Sequence, residues 1–290
     1  MTQRIGFGVL SQLVGVDVVE LNDIAAHISE HYRTHVIREG DKKRPLSIPS
    51  ARLKKVQRLI LRAVLNRIPS HPASHCAPRR SILTNARYHI GNKYLTTLDI
   101  ENAFPSARSH RVRPAVTRGL ARVGLNKAIA DPITKLCCYK DQLPQGAPTS
   151  SKLLDLVFYP VDASVAREAK RHGIRYTRYV DDFCISAGRG VGFFVRIVGM
   201  ELGRFGFRLK HAKRRDYTPG RRATVTGLVL AKRPVLRLDY VKAVRAAVEG
   251  HAKGERLLTA IELACLRGRI GWIKTVHPKV GVRLAARING

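Results

Sequence analysis

The chain begins with two segments in which apolar residues recur at helical spacing. In residues 19–32 and again in residues 52–68, apolar side chains fall three or four positions apart and form one stripe. A stripe with a period of 3.6 residues is typical of a helix that packs one face on a core, so both segments are predicted as helices. The same pattern predicts further helices over residues 109–120, 126–140, 153–172, 191–205, 239–249 and 259–275.

Shorter runs that are rich in β-branched and aromatic residues lie among these helices. Such runs fit the pleated surface of a sheet and predict strands. They span residues 94–98, 175–178, 183–185, 207–210 and 224–230. The chain is therefore expected to have an α+β fold, in which a small sheet packs against helices.

The composition adds a very strong positive charge to this picture. Lys and Arg number 53 against 21 Asp and Glu, which gives a formal net charge of +32. A field of this size predicts a polyanionic partner and salt-sensitive binding. Basic residues occur in every segment, which favours a lined channel over a disordered basic arm. Aromatic residues make up only 6% of the chain, so gripping of a duplex backbone fits better than stacking of single-stranded bases.

Cysteine usage and hydropathy give an expected location. The five cysteines are odd in number and form no C-x-x-C pair, which argues against a disulfide framework or a zinc site. No run of about 20 apolar residues predicts a membrane span. The apolar segment at residues 4–10 lacks a small-residue cleavage site after it. We expect a cytoplasmic protein with reduced thiols and no membrane partner.

Two adjacent carboxylates stand out within this basic chain. Asp181 and Asp182 follow the strand-like run that ends at Tyr179 and precede another such run. Asp tolerates tight turns, so the pair is predicted at the tip of a hairpin. A divalent metal would relieve the repulsion between the two anions, because Mg²⁺ prefers hard oxygen ligands. An Asp pair in a turn is often only a solvated loop, so the pair alone leaves both interpretations open.

Two further segments favour the metal interpretation. Asp99 ends the strand predicted over residues 94–98, and Phe104 follows five residues later. Enzymes that join phosphates by in-line displacement clamp two ions roughly 3.5–4 Å apart with carboxylates from separate segments, and Asp99 and Asp181 meet that requirement. The Gly- and Pro-rich turn at residues 142–151 contains Gln145 and Gly146 and lets the backbone approach a ligand closely.

Taken together, these segments resemble the conserved blocks of reverse transcriptases. Asp99 to Phe104 is similar to the first catalytic block, Gln145 to Ser150 to the Q-G-x-P-x-S block, and Tyr179 to Asp182 to the Y-x-D-D block. Upstream, Arg44 to Pro49 resembles the fingers pattern of bacterial members. The resemblance implies an α+β fold with right-hand polymerase architecture. It places N-terminal helices and fingers in residues 1–92, a palm with inserted fingers helices in 93–232, and a small helical thumb in 233–290.

The resemblance also implies a metal site. Asp99 and Asp181 would bridge two Mg²⁺ ions, for which Mn²⁺ is a substitute. Ile100 would lend its backbone carbonyl, and Asp182 would act as a secondary ligand.

Further residues are implied for binding deoxynucleoside triphosphates. Arg44 and Lys43 would hold the triphosphate, and Phe104 would stack under the sugar and exclude a 2′-hydroxyl. Gln145 and Gly146 would shape the floor beside the nascent base pair. His211 stands where the family has an Asn before its motif lysine, which leaves Lys213 as the equivalent lysine.

Two more patches resemble the retron subfamily. The run from Asn85 to His89 matches its N-A-x-x-H signature, and Val225, Thr226 and Gly227 match its V-T-G signature. These five positions, Asn85, His89, Val225, Thr226 and Gly227, would then contact RNA. The simpler interpretation is that Asn85 and His89 cap a helix and that Gly227 is a strand bulge.

Retron resemblance implies a particular partner and product. The template would be a dedicated structured noncoding RNA, primed from a guanosine 2′-hydroxyl and copied into DNA that stays linked to the RNA, known as msDNA. Anti-phage defence and a co-encoded effector protein belong to the same expectation. The alternatives are a group II intron-like or abortive-infection reverse transcriptase, and a non-catalytic RNA-binding protein that has kept the fold.

Overall fold

The computed structural model of the chain describes residues 2–39, 42–255 and 257–289, and it describes side chains for residues 5–38, 45–255 and 257–288. In chain order, the first half contains α1 (Thr2–Val14), α2 (Val18–Ala26), β1 (Tyr32–Glu39), β2 (Lys42–Pro49), α3 (Ala51–Ala63), α4 (Ile82–Tyr88), β3 (Tyr94–Asp99), α5 (Ala103–Ser106), α6 (Ser109–Arg122) and α7 (Ala130–Cys137). The second half contains α8 (Ser150–Arg171), β4 (Arg175–Tyr179), β5 (Asp182–Ala187), α9 (Gly192–Arg204), β6 (Arg215–Tyr217), β7 (Thr224–Val225), β8 (Leu228–Leu230), β9 (Pro234–Val235), α10 (Leu238–Ala252), α11 (Ala260–Val276) and α12 (Pro278–Asn289).

A four-stranded antiparallel sheet forms the centre of the molecule. Its strand order is β4-β5-β3-β6, with β5 paired antiparallel to both β4 and β3. The long helix α8 packs behind this sheet, and its apolar stripe is buried, namely Leu154, Val157, Phe158, Val161 and Val165. The expected mixture of a small sheet and packed helices is therefore confirmed.

Two hydrophobic cores lie on either side of the strands. The larger core joins the N-terminal helices, the helices behind the sheet and the sheet itself, with Phe158, Phe183 and Phe207 among its fully buried rings. The second core links Leu95 and Cys184 of the sheet to the C-terminal helices through residues such as Ile270. The face of the sheet that carries Leu95 and Cys184 therefore belongs to the same core as the C-terminal helices.

Several predicted elements differ from the structure. The first predicted helix ends at Ala26, and its last residue, Tyr32, begins β1, because a 3₁₀ turn over Ile28–His31 continues the apolar spacing without an α-helix. The second ends at Ala63, where Val64 leaves helical geometry. The predicted strand at 207–210 is reduced to one bridge between Leu209 and Ile100.

The C-terminal part contains one helix more than predicted. The two expected helices form as α10 and α11, and α12 follows directly. Pro278 occupies the first helical position of α12, where its fixed φ and missing N–H are tolerated. Leu284 and Ile288 of α12 are buried in the second core.

Among the described residues, no single helix is long and apolar enough to cross a membrane. The segments Ile5–Val14 and Val18–Ala26 pass such a test only as a pair, and the pair is bent by 115°. Phe7 and Leu10 of the first segment are buried in the larger core.

Candidate active site

Three carboxylates converge at one end of the central sheet. Asp99 is the last residue of β3 and lies directly opposite Asp182, the first residue of β5. Tyr179 and Asp182 are paired across β4 and β5, so Val180 and Asp181 form the two-residue turn between the strands. The antiparallel register therefore brings the two predicted catalytic segments together.

The turn itself has an unusual backbone. Val180 has a φ of 56°, in the left-handed region where a β-branched residue is strained by about 1–3 kcal/mol. The turn is nevertheless held on both sides of Val180. Its N–H donates to Cys76 Sγ over 2.7 Å, and its carbonyl accepts a bond of 2.8 Å from Arg178 Nη1.

Ile100 presents its carbonyl to the same end of the sheet. An antiparallel bridge pairs Ile100 with Leu209. The hydrogen bonds of this bridge come from the flanking residues, with Lys210 N donating to Asp99 O and Glu101 N donating to Arg208 O. The carbonyl of Ile100 therefore points away from Leu209, as the predicted backbone ligand requires.

The carboxylates at the strand ends share a partly desolvated cleft. Asp182 keeps an exposed edge, but the cleft withdraws much of its carboxylate from water. This desolvation, together with the charges of Asp181 and Asp99, raises the pKa of Asp182 to about 6, and Lys213 opposes the shift. Lys213 Nζ lies 2.5 Å from Asp99 Oδ2. The motif lysine assigned from the sequence therefore does reach the catalytic end of the sheet.

The donor set at this place fits a divalent metal that arrives with its substrate. In the part of the chain that the structure describes, no group of three or more His, Cys, Asp or Glu side chains is arranged to hold a metal by itself. Mg²⁺ at nucleotide sites takes one or two carboxylates and completes its shell with water and substrate phosphates. Asp99 and Asp181, with the Ile100 carbonyl, supply that number and type of oxygen ligand.

An open cavity of about 570 Å³ is lined by Asp99, Asp182 and neighbouring residues of β3, β5 and β6. Its wall includes seven of the residues predicted for the site, namely Asn85, Asp99, Asp182, Lys213, Val225, Thr226 and Gly227. Arg215 and Arg237 also line it and were not foreseen. Together with Lys213, they give the cavity a basic wall suited to phosphates.

The predicted floor residues lie against the β1–β2 hairpin. Ser47 N donates to Gln145 O over 2.8 Å. Gly146 has a φ of 112°, and a Cβ there would lie 3.2 Å from Ser47 O, so both conformation and space favour glycine. The Q-G turn is thus fixed to β2, the strand that carries Lys43 and Arg44. The side chains of those two residues lie outside the described part.

Phe104 follows the strand end at Asp99 in the sequence but is not among the residues that line the cavity. It is half-buried in the short helix α5, which begins four residues after Asp99, and it packs against the larger core. Its neighbour Ala103 is buried and anchors that helix.

The structure corrects the expectation that His89 contacts RNA. The ring is fully buried, with Nδ1 2.7 Å from Ser186 Oγ and Nε2 2.7 Å from Thr177 Oγ1. Burial lowers the pKa of His89 to about 3, so the ring stays neutral. His89 therefore ties the end of α4 to the central sheet, because both of its nitrogens have partners within the protein.

Asn85 is placed differently from His89, although it is also buried. Its Oδ1 accepts a bond of 2.5 Å from Thr177 Oγ1, while its Nδ2 has no hydrogen-bond partner within the described residues. An orphaned buried donor is costly, and Asn85 is one of the residues that line the cavity.

The V-T-G signature forms a hairpin tip and not the continuous strand that was predicted. Val225 pairs with Leu228 across β7 and β8, and Val225 is buried in the second core. Thr226 and Gly227 have φ values of 46° and 81°, as a two-residue turn with both central residues left-handed requires.

Comparisons with known proteins agree with this geometry. The family model for reverse transcriptases (RNA-dependent DNA polymerases) matches residues 37–230. The retron Ec86 reverse transcriptase of Escherichia coli is 31% identical over 97% of this chain and 87% of its own length. The retron Mx162 reverse transcriptase of Myxococcus xanthus is 30% identical over 97% of this chain and 66% of its own length.

A solved structure supports the fold independently. Telomerase from Candida albicans, in complex with the TWJ fragment of telomeric RNA, aligns with a TM-score of 0.51 at 11% identity, covering 86% of this chain and 56% of that chain. At this identity the likeness concerns the fold alone. The right-hand polymerase architecture and the RNA-directed DNA polymerase activity expected from the sequence are confirmed, and the chain belongs to the retron-type reverse transcriptases.

Proposed function

We propose that this chain copies one dedicated, structured noncoding RNA into DNA by two-metal nucleotidyl transfer. The observation that carries the proposal is the pairing of Asp99 with Asp182 across β3 and β5, with Asp181 in the adjoining turn. This arrangement opens into a basic cavity large enough for a nucleotide.

Each carboxylate has a separate task in this proposal. Asp99 and Asp181 hold two Mg²⁺ ions, or Mn²⁺ in their place, and the Ile100 carbonyl completes the protein's share of ligands. Asp182, which pairs with Asp99 across β3 and β5, acts as a secondary ligand. Divalent metal supplies the charge that activates the attacking hydroxyl and stabilises the triphosphate and the departing pyrophosphate.

The remaining residues bind and select the nucleotide. Lys43 and Arg44 on β2 bind the triphosphate. Lys213 leaves its ion pair with Asp99 and binds a phosphate when the substrate enters. Charge-assisted bonds of this kind are about twice as strong as neutral ones. Phe104 excludes a ribose 2′-hydroxyl.

Gln145 and Gly146 form the floor beside the new base pair. Their contact with Ser47 supports this role, because it joins the Q-G turn to β2, the strand that carries Lys43 and Arg44.

The retron relationship and several residues of the cavity wall support the proposed RNA partner. We infer that Asn85 and the turn formed by Thr226 and Gly227 contact the noncoding RNA near the primer. Synthesis starts from a guanosine 2′-hydroxyl and yields RNA-linked DNA, the msDNA. We further propose that this product serves anti-phage defence together with a co-encoded effector protein.

The test is to identify the nucleic acid that the protein carries and to remove one carboxylate at a time. Protein purified from cells that contain its own genomic locus should hold one noncoding RNA joined to its DNA copy. Asp99→Asn and Asp181→Asn should retain the RNA but lack the DNA, and should lose primer extension with Mg²⁺ by several orders of magnitude.

The matched control is Asp23→Asn, which removes an exposed carboxylate on α2 that pairs with Arg52. It should keep full activity. Residual extension within about tenfold of the parent in the Asp99 or Asp181 variants would reject these residues as metal ligands. Copurification of only heterogeneous cellular RNA would reject the dedicated template.

A further inference from the structure

Arg178 carries a charged guanidinium in the protein interior, immediately before the catalytic turn. The side chain is 0% exposed. Its Nε and Nη2 bind Asp162 at 2.9 and 2.6 Å, and Nη2 also lies 2.7 Å from Asp155 Oδ1. Asp155 and Asp162 are seven residues apart on α8 and are both buried. One face of this helix therefore holds the guanidinium in a single orientation.

That orientation directs the remaining nitrogen at the turn. Nη1 of Arg178 donates to the carbonyl of Val180 over 2.8 Å, and Cys76 Sγ accepts from the N–H of the same residue. Val180 is thus fixed through both of its backbone polar groups. A bidentate ion pair with Asp162 does not by itself require the Nη1 contact, so this contact is an additional feature of the site.

The segment before α4 completes the support. Arg178 N donates to Ala73 O and His75 N donates to Arg178 O, at 2.9 and 2.7 Å. Ser74 Oγ donates to Asp155 Oδ1. Residues 73–76 therefore hold the backbone of Arg178, its carboxylate partner and, through Cys76, the turn.

The buried charges in this cluster balance. Arg178 faces two carboxylates, and Lys152 Nζ lies 3.8 Å from Asp155 Oδ2. Tyr176 donates its hydroxyl hydrogen to Asp162 Oδ1 over 2.6 Å. A charge-balanced, hydrogen-bonded set of buried ions is rigid. Removal of any one member is costly, because it leaves an uncompensated charge.

We propose that Arg178 and Cys76 form a clamp that positions the metal-binding carboxylates by holding Val180 in its left-handed conformation. A β-branched residue leaves this region when it is not restrained, and a change at Val180 would turn the adjacent Asp181 and Asp182 away from Asp99. The inference rests on the proposed role of Asp181 as a metal ligand. Arg178 and Cys76 are positioning residues in this scheme and touch no substrate.

Two variants weaken the clamp from different sides. Arg178→Lys keeps the positive charge but cannot reach both carboxylates and the Val180 carbonyl at once. Cys76→Ala removes only the acceptor of the Val180 N–H and leaves the ion cluster intact. The second variant keeps the proposal testable if the first fails to fold.

The readouts are hydrogen exchange in the peptide that contains residues 179–183, Mn²⁺ binding followed by electron paramagnetic resonance, and primer extension. Both variants should exchange the Val180 amide faster and bind Mn²⁺ more weakly. Extension should fall about 100-fold in Arg178→Lys, as expected for ligands displaced by about 1 Å. It should fall about fivefold in Cys76→Ala, as expected for one lost hydrogen bond.

A double-variant cycle with Val180→Gly isolates the clamping role. Glycine adopts a positive φ without strain, so the turn no longer needs to be held. Cys76→Ala should therefore cost clearly less activity and less Mn²⁺ affinity in the Val180→Gly background than in the parent. A purely structural role of Cys76 predicts equal losses in both backgrounds.

The control for general destabilisation is Val161→Ala, a cavity variant at a fully buried position of α8. It should lower the melting temperature while leaving Mn²⁺ affinity and the Val180 amide unchanged. The clamp is rejected if both variants keep the exchange rate and Mn²⁺ affinity of the parent, or if Val161→Ala reduces Mn²⁺ affinity as strongly. Failure of the proposed function would show separately, as retained extension in Asp181→Asn.

Discussion

Lys213 Nζ lies 2.5 Å from Asp99 Oδ2, so a cation of the chain itself balances the carboxylate at the end of β3. The pair is partly open to water, with 39% of the Lys213 side chain and 13% of the Asp99 side chain exposed. Such a pair is worth about 1 kcal/mol or less. It is weak enough to be replaced when metal and triphosphate enter together.

The first prediction concerns this exchange. Lys213→Met keeps the length of the side chain and removes its charge. Mn²⁺ binding without nucleotide should tighten by up to about fivefold, because the competing cation is gone. The kcat/KM for deoxynucleotide should nevertheless fall about tenfold or more, because a phosphate ligand is lost.

Lys210→Met is the control, since Lys210 contacts Asp99 only through its backbone N–H. Paramagnetic resonance titration and single-nucleotide incorporation measure the two effects. Weaker Mn²⁺ binding in Lys213→Met would show that the lysine helps to hold the site and does not compete for it.

The second prediction follows from the raised pKa of Asp182. The pKa moves from 3.8 to about 6 on folding of the metal-free protein, so the native state binds the proton more tightly. The stability from this proton is fully present below about pH 3.8 and is lost as the pH rises through about 6. In chelator, the melting temperature of the parent relative to Asp182→Asn should therefore decrease between pH 4.5 and 7.5.

Saturating Mg²⁺ should reverse this trend, because metal binds the deprotonated carboxylate and stabilises the folded state. Thermal scans of both proteins with and without Mg²⁺ measure the effect. A difference that does not change with pH in chelator would contradict the raised pKa.

The catalytic end of the sheet could be predicted from the sequence because its signals are local. Asp99 ends a clear strand, and a two-residue turn fixes the pairing between Tyr179 and Asp182. Once that pairing is set, only the strand neighbour of β5 is left to assign. The resemblance to reverse transcriptases brought Asp99 to the same site, and with it the strand β3.

Strands without an apolar alternation were missed. Strands β1 and β2 are rich in charged residues, and β2 contains Pro45 within its span, so neither shows the apolar alternation of a half-buried strand. They form because they pair with each other over their whole length. The strand predicted at residues 207–210 fails for the converse reason, since only Leu209 finds a bridging partner.

Buried polar groups were the other omission. Arg178 in a strand is expected to be exposed, because arginine is almost never fully buried unless it is paired. The available signal was the spacing of Asp155 and Asp162, which puts two acids on the apolar face of one helix. Their partner could be identified only once β4 was placed against α8.

The third prediction concerns sugar selection by Phe104. Phe104→Ala should raise incorporation of ribonucleotides relative to deoxynucleotides by about tenfold or more, because removal of a steric block favours the substrate that was rejected. Phe193→Ala is a suitable control, since this ring on α9 is 45% exposed. The ratio of kcat/KM for the two nucleotides decides the matter, and an unchanged ratio would place the gate at another residue.

The fourth prediction concerns His89. His89→Ala removes two hydrogen bonds to the central sheet and leaves a cavity, so the free energy of unfolding should fall by about 2–4 kcal/mol. His110→Ala, at an exposed position of α6, should change it little. Urea denaturation measures both. A stable His89→Ala variant with impaired RNA binding would instead support a direct contact between His89 and RNA, which the burial of the ring argues against.

The last prediction separates recognition of one RNA from general attraction to phosphate. Asn85 is one of the residues that line the cavity, and its buried Nδ2 has no partner among the described residues. An acceptor on the cognate RNA would satisfy it, whereas phosphate attraction acts on every RNA and weakens with salt. Asn85→Ala should therefore reduce the preference for the cognate RNA over an unrelated structured RNA at high salt by about fivefold, the value of one hydrogen bond.

Thr177→Val is the matched control, because it removes the hydroxyl that donates to Asn85 Oδ1 and leaves Nδ2 in place. It should share any loss of stability but keep the preference for the cognate RNA. Competition binding at high salt and extension of a generic primer-template measure specificity and catalysis separately. If both variants lose cognate and generic activity to the same degree, Asn85 serves only to hold α4 on the sheet, and recognition must come from the turn of Thr226 and Gly227.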